Sequence, residues 1–189
     1  MWGERIMIED LNILDEKNLK ILKQKSEEVT FPLSEDDLTT INNMIMYLRI
    51  SQDEEYAEEH NLRAGMGLAA IQLGIPKRYF VVVNEYDEGQ FETYVMINPR
   101  MISNSVEKIY VDQGEGCLSV NRAVDGIIPR YARVTFEAYD IEGRKINVRA
   151  REELAIAFQH ELDHLNGMIF TDHIDPKNPF KDQEKMRAI

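Results

Sequence analysis

This 189-residue chain has one cysteine, Cys117, and so cannot form an intramolecular disulfide. A lone thiol in a reducing compartment is core filler, a reactive group or a metal ligand. No apolar run approaches the roughly 18 residues that a membrane-spanning helix requires, and the amino-terminal MWGERIMIEDL is too charged for a secretory signal. The expectation is a cytoplasmic protein with no membrane partner. Basic charge is also scarce: 34 Asp and Glu stand against 22 Lys and Arg, a net charge of -12 that opposes direct DNA binding. Repeats and low-complexity tracts are absent. With 43% hydrophobic residues the chain can bury one core without staples, which predicts a single domain over residues 1–189.

The segment QHELDHLNG, Gln159 to Gly167, places His160 and His164 four positions apart with Glu161 between them. A helix turns about 100° per residue, so these imidazoles share one face roughly 6 Å apart along the axis and can ligate one ion about 2 Å from each. Glu161 faces the same region and can take a proton from a water there. The plain alternative is a solvated, charged helix face. Leu154, Phe158, Leu162 and Leu165 argue against it, because they recur at the spacing of a buried stripe centred roughly 130° around the helix from the two histidines. The histidines are therefore expected to lie off the main apolar seam.

A catalytic tetrahedral site takes three protein ligands and leaves a fourth position open, whereas a structural zinc module takes four. The continuation HExxHxxGxxH is excluded, since Gly167 matches its glycine but Phe170 stands at the third histidine position. Glu184 lies 20 residues beyond His164, the distance used by thermolysin-like peptidases, although Pro176 and Pro179 interrupt the intervening segment. Cys117, within GEGCLS, is the other candidate. Gly114 and Gly116 beside Glu115 let backbone approach an ion or substrate closely, and one Cys with two His leaves an open fourth position.

Elsewhere, Ser34 followed by Asp37 resembles a capping box opening an amphipathic helix marked by Leu38, Ile41, Ile45 and Leu48. Gln52 to Asn61 reads as loop or helix end. Tyr79 to Asn84 and Phe91 to Asn98, separated by Asp87, Glu88 and Gly89, predict a hairpin. Arg133 to Tyr139 alternates, and a strand ending near Val148 follows the turn at Glu142 and Gly143. Strands followed by one long metal-bearing helix imply an α+β fold. GMGLAAIQLG lacks both the third glycine of GxGxxG and the GK[ST] ending of a phosphate loop, which leaves a tight turn or a substrate-facing segment.

Three separated segments, GMGLAAIQ at Gly65 to Gln72, EGCLS at Glu115 to Ser119 and HELDH at His160 to His164, together resemble the peptide deformylase family in identity and order. Details outside them are similar to the second bacterial type, from Gram-positive bacteria and their wall-less relatives. The resemblance implies antiparallel and mixed sheets wrapped around a central metal helix. It implies removal of the N-formyl group from the formylmethionine that begins newly made polypeptides, with release of formate. It also implies Cys117, His160 and His164 as ligands of one ion, Fe(II) physiologically, with Zn, Ni or Co able to substitute. Glu161 is implied as proton carrier and the Gln72 amide and Leu118 N–H as oxyanion donors. Gly67 offers backbone to the substrate, and Met66 with Ile156 flanks the methionine side chain. The rival reading is a HExxH metallopeptidase that cuts internal peptide bonds without Cys117. Asp163 is read as fixing a ligating imidazole or as surface charge, and Glu115 as pairing with Arg130 or as solvated. His60 and His173 are read as ordinary loop histidines. Lys177, Lys181, Lys185 and Arg187 form either a transient ribosome contact or a solvated tail.

Overall fold

The computed structural model describes residues 11–87 and 89–189. The charged amino-terminal segment, Trp2 with it, and Glu88 of the expected hairpin turn lie outside the described residues. The order of elements is α1 (Leu19–Leu22), α2 (Glu35–Ser51), α3 (Glu54–Glu59), β1 (Gly67–Ala69), β2 (Tyr79–Asp87), β3 (Gln90–Asn104), β4 (Lys108–Tyr110), β5 (Arg130–Tyr131), β6 (Arg133–Tyr139), β7 (Lys145–Arg151), α4 (Glu152–Leu165) and β8 (Arg187–Ala188). An antiparallel sheet runs β1-β2-β3-β6-β7, and a smaller mixed sheet runs β5-β4-β8. Helix α4 touches β1, β2, β5, β6 and β7. The architecture is α+β, as expected.

β2 explains why the sheet is buried on both sides. Successive strand residues point to opposite faces, and all five residues of YFVVV are fully buried. Phe80 and Val82 face a core shared with α4, whereas Tyr79, Val81 and Val83 face a second core built on Ile41, Met44, Tyr47 and Leu48 of α2. A continuous apolar run is what a doubly covered strand requires. β6 instead alternates, with Val134, Phe136 and Ala138 buried toward α4. Phe158 of α4 anchors that contact, meeting Phe80, Phe136 and Tyr94 edge-on at centroid distances of 5.6, 5.4 and 5.4 Å.

Several expectations are refined. Ser34 caps α2 by accepting from the Asp37 N–H, but Asp37 does not close a capping box: its carboxylate takes the Ser34 hydroxyl at 2.6 Å and pairs with Lys77. The segment read as loop or helix end, Gln52 to Asn61, forms a separate short helix, α3, because Asp53 caps it and Tyr56 stacks on His60. The hairpin strands run longer on both sides of the turn. On α4 the expected stripe is uneven: Phe158 and Leu165 are fully buried, while Leu154 and Leu162 only flank the core. The face carrying the histidines is also covered, by Phe170 stacked against His160. The helix ends where Gly167 adopts φ +77, with its α-carbon so close to Lys23 that a Cβ would stand 2.5 Å from that carbonyl oxygen.

Candidate metal centre

Helix α4 sets His160 and His164 with ring centroids 5.0 Å apart, and the loop before β5 brings Cys117 against them. Their ligating atoms all lie within 4.8 Å of one another, with Cys117 Sγ 3.3 Å from His164 Nε2. An ion about 2.3 Å from sulfur and about 2.1 Å from nitrogen places such donors about 3.5 Å apart, so one ion fits this set. Burial pushes the Cys117 thiol up, but His160 and His164 outweigh it and hold the thiol well below its ordinary value. A thiolate is the form that ligates, and a buried anionic sulfur attracts a cation. Glu161 Oε2 is buried without a hydrogen-bond partner among the described residues, leaving a carboxylate beside the donors for a group the protein does not itself supply. Burial raises its carboxyl to about 7, against the pull of His160 and His164.

A buried chain of charge supports the donors. His160 Nδ1 meets Glu115 Oε2 at 3.0 Å, and Arg130 grips both Glu115 oxygens at 2.7 and 2.8 Å. Burial alone would raise the Glu115 carboxyl, yet Arg130 and His160 bring it down to about 2. The Arg130 guanidinium continues to Asp163 Oδ2 at 2.6 Å, and His173 Nε2 reaches the same oxygen at 2.7 Å. Glu115 is therefore the residue that orients a candidate ligand imidazole. Asp163 touches no ligand imidazole, and its pairing with Arg130 and His173 replaces both readings of it. His173 is likewise no ordinary loop histidine, because the 3-10 turn Phe170–His173 carries it back onto α4. His60 is exposed and stacks on Tyr56.

Gln72 is buried between two anchors: its Oε1 accepts from the Ala69 N–H at 2.8 Å, and its Nε2 donates to Ser119 Oγ at 3.1 Å and lies 3.8 Å from Cys117 Sγ. Leu118 packs on Gly65, where a Cβ would stand 2.8 Å from Leu118 Cδ1. Gly67, on the edge strand β1, lies directly against Glu161. Met66 borders the core beneath the sheet, whereas Ile156 sits in a small separate cluster with Ile109 and Ala132. Glu184 is exposed and stands outside the Cys117, His160 and His164 group. Sequence reasoning gave no role to Ser119, although EGCLS contains it, nor to Arg63, which no local pattern marks.

A sequence profile of the polypeptide deformylase family matches residues 11–180. The peptide deformylase of Macrococcus caseolyticus is 48% identical over 170 residues, covering 89% of this chain and 92% of that protein. A Bacillus cereus protein named peptide deformylase 2 is 48% identical over 160 residues, covering 85% and 87%. The solved structure of an Acinetobacter baumannii class I type b peptide deformylase with Met-Ala-Ser bound superposes at a TM-score of 0.68 with 27% identity, over 87% of this chain and 98% of that one. Since the profile spans most of the chain, and these relatives are nearly half identical over most of both sequences, the chain belongs to the polypeptide deformylase family.

Proposed function

We propose that the chain, acting as one catalytic domain over residues 1–189, removes the N-formyl group from the formylmethionine of newly made polypeptides and releases formate. Cys117, His160 and His164 hold the ion in this reading, and Glu161 carries the proton. The ion would act as a Lewis acid on the formyl carbonyl and lower the pKa of attacking water, and the single thiolate suits Fe(II), with Zn, Ni or Co as substitutes. The observation that carries the reading is the pairing of the Cys-His-His group with a buried, unpartnered Glu161 carboxylate beside the open edge strand β1.

The chain's own residues divide the work by position. Glu161 takes the proton of the attacking water and passes it to the departing amine, a task suited to a buried carboxylate whose Oε2 has no partner among the described residues. The Leu118 N–H and the Gln72 amide face the developing oxyanion, and each such donor typically contributes a few kcal/mol, about 2.7–4 in a well-measured case. The free edge at Gly67 receives the extended substrate backbone as an added strand. Met66 and Ile156 flank the methionine side chain. The Acinetobacter relative binds Met-Ala-Ser, a peptide of the form this reaction leaves.

The metallopeptidase alternative is not favoured, because its required glutamate, Glu184, is exposed on a terminal turn. The reading places the protein in the cytoplasm with nascent chains as its partners and no direct DNA contact. No helix of the described residues is long and apolar enough to cross a membrane. Lys181 pairs with Asp175, Lys185 with Asp182, and Arg187 with Glu107 and Glu152, so a ribosome contact there would have to exchange existing ion pairs.

The test compares kcat/KM for formyl-Met, acetyl-Met and formyl-Asp tripeptides. An acetyl methyl would press on Gly67 and Leu118, and a displacement of 1 Å in reacting atoms costs about a hundredfold. Formyl-Met should therefore lead acetyl-Met by about that factor; it should also lead formyl-Asp, whose charged side chain does not suit a pocket beside Met66 and Ile156, and similar values for these two would sink the pocket. Equal rates for formyl-Met and acetyl-Met would sink the assignment.

A further inference from the structure

Arg63 sits in the segment between α3 and β1, exposed to solvent and outside every group described above. Its guanidinium nevertheless donates to three backbone carbonyls of the cysteine loop, those of Leu118 at 2.8 Å, Cys117 at 3.0 Å and Val120 at 3.0 Å, and also meets the Asn121 side chain. A guanidinium presents its N–H groups in a rigid planar fork, so carbonyls gathered on it cannot rotate independently. The other end of the arginine is equally tied. The Tyr47 hydroxyl donates to the Arg63 carbonyl at 3.0 Å, and Gln52 and Ser51 hold Gly65 at 3.0 and 3.3 Å. Arg63 is thus a strut from α2 to the cysteine loop.

The consequence follows from peptide geometry. In a trans peptide the C=O and N–H lie in one plane and point in opposite directions, so holding one aims the other. The Cys117 carbonyl belongs to the same plane as the Leu118 N–H. The Leu118 carbonyl shares its plane with the Ser119 N–H, which donates to Cys117 Sγ at 3.4 Å. Both carbonyls accept from Arg63, and the Cys117 carbonyl accepts as well from the Val120 N–H at 3.1 Å. Charge on the carbonyl side also polarises each peptide and strengthens its N–H as a donor.

We infer that Arg63 is a positioning residue that sets these two peptide planes, aiming the Leu118 N–H at the oxyanion and the Ser119 N–H at the cysteine sulfur. The first half rests on the proposed role of Leu118; the second rests on the observed contact alone. Arg63 is exposed, so its removal opens no core cavity.

The experiment compares full-length wild type, Arg63→Ala and Arg63→Lys, zinc-loaded for kinetics and cobalt-loaded for absorption. Arg63→Ala should lower kcat by ten- to a hundredfold while KM stays within threefold, and should shift the thiolate-to-cobalt charge-transfer band. Arg63→Lys, with a compact charge in place of the fork, should fall between. Millimolar methylguanidinium, against sodium chloride of equal ionic strength, should restore part of the kcat of Arg63→Ala. A kcat within twofold of wild type together with an unmoved band overturns the inference. So does a fall in kcat that tracks a lowered melting temperature and resists methylguanidinium, since that assigns Arg63 a merely structural role. If wild type releases no formate, the proposed function fails by itself, and the cobalt band still decides whether Arg63 sets the bond to sulfur.

Discussion

Replacing Gly67 by alanine probes the placement of Glu161 without touching a candidate ligand. A Cβ built on Gly67 would stand 2.8 Å from the Glu161 carboxyl carbon and 2.9 Å from its Cγ, where ordinary contact begins at 3.4 Å. The backbone at Gly67 is not in the left-handed region, so alanine is accepted by β1 and the clash falls on the glutamate. Glu161 must retreat by about 0.6 Å at its carboxyl carbon, and further at Oε1, which stands closer still to the added Cβ. Since about 1 Å of displacement costs roughly a hundredfold, Gly67→Ala should lower kcat by about ten- to a hundredfold. The clash meets a side-chain end and no backbone, so stability should hold to within about 1 kcal/mol. Formate release under saturating formyl-Met peptide, metal content and a urea melt on one sample decide the matter. A kcat within threefold of wild type, with stoichiometric metal, would refute the claim that Glu161 works from this position.

Cys117→Ala should lose tight metal binding because two imidazoles remain, while Glu184→Ala keeps metal and activity; chelator competition measures both, and stoichiometric metal in Cys117→Ala would exclude that residue as ligand. Phe158→Ala should destabilise by about 3–5 kcal/mol in urea unfolding, since a fully buried ring shared by three aromatic neighbours leaves a cavity; a loss below about 1 kcal/mol would show that the core collapses around it. Burial raises the Asp37 carboxyl, but Lys77 and Ser34 outweigh it and leave it below its ordinary value. Its stabilisation is therefore fully present above the unfolded pKa near 3.8 and is lost as pH falls through the lower folded value. The stability gap between wild type and Asp37→Asn should accordingly be constant from pH 7 to about pH 5 and narrow in stronger acid; a gap that does not narrow as pH falls below the unfolded pKa would contradict the ion-pair account.

Local periodicity carried much of the fold and part of the site. The four-residue spacing of His160 and His164 is enough to put both rings on one helix face, because helix geometry leaves no alternative. The same holds for the alternation in β6, the Ser34 cap and the apolar run of β2 read as a hairpin strand, each an i-to-neighbour relation that short-range geometry enforces; that β2 is covered on both faces came from the structure. α3 was not separated from a loop or helix end because four glutamates with one tyrosine and one alanine show no apolar stripe, and what stabilises it is the Asp53 cap and the stacking of Tyr56 on His60. Cys117 lies 47 residues from His164; its chemistry made it a candidate third ligand, but no spacing rule links it to the helix, and the resemblance of GEGCLS to a known family is what set it above Glu184.

Tertiary structure alone decided which charges meet. The sequence offers the Glu115–Arg130 pair, which the structure contains, but nothing in it says that Arg130 also reaches Asp163, that His173 returns to α4, or that Arg63 spans 54 residues to hold the Cys117 carbonyl. Periodicity reports only which way a side chain leaves its own element. A long cation that ends on distant carbonyls or carboxylates leaves no such trace, because its partners are chosen by how the sheet, α2 and α4 pack.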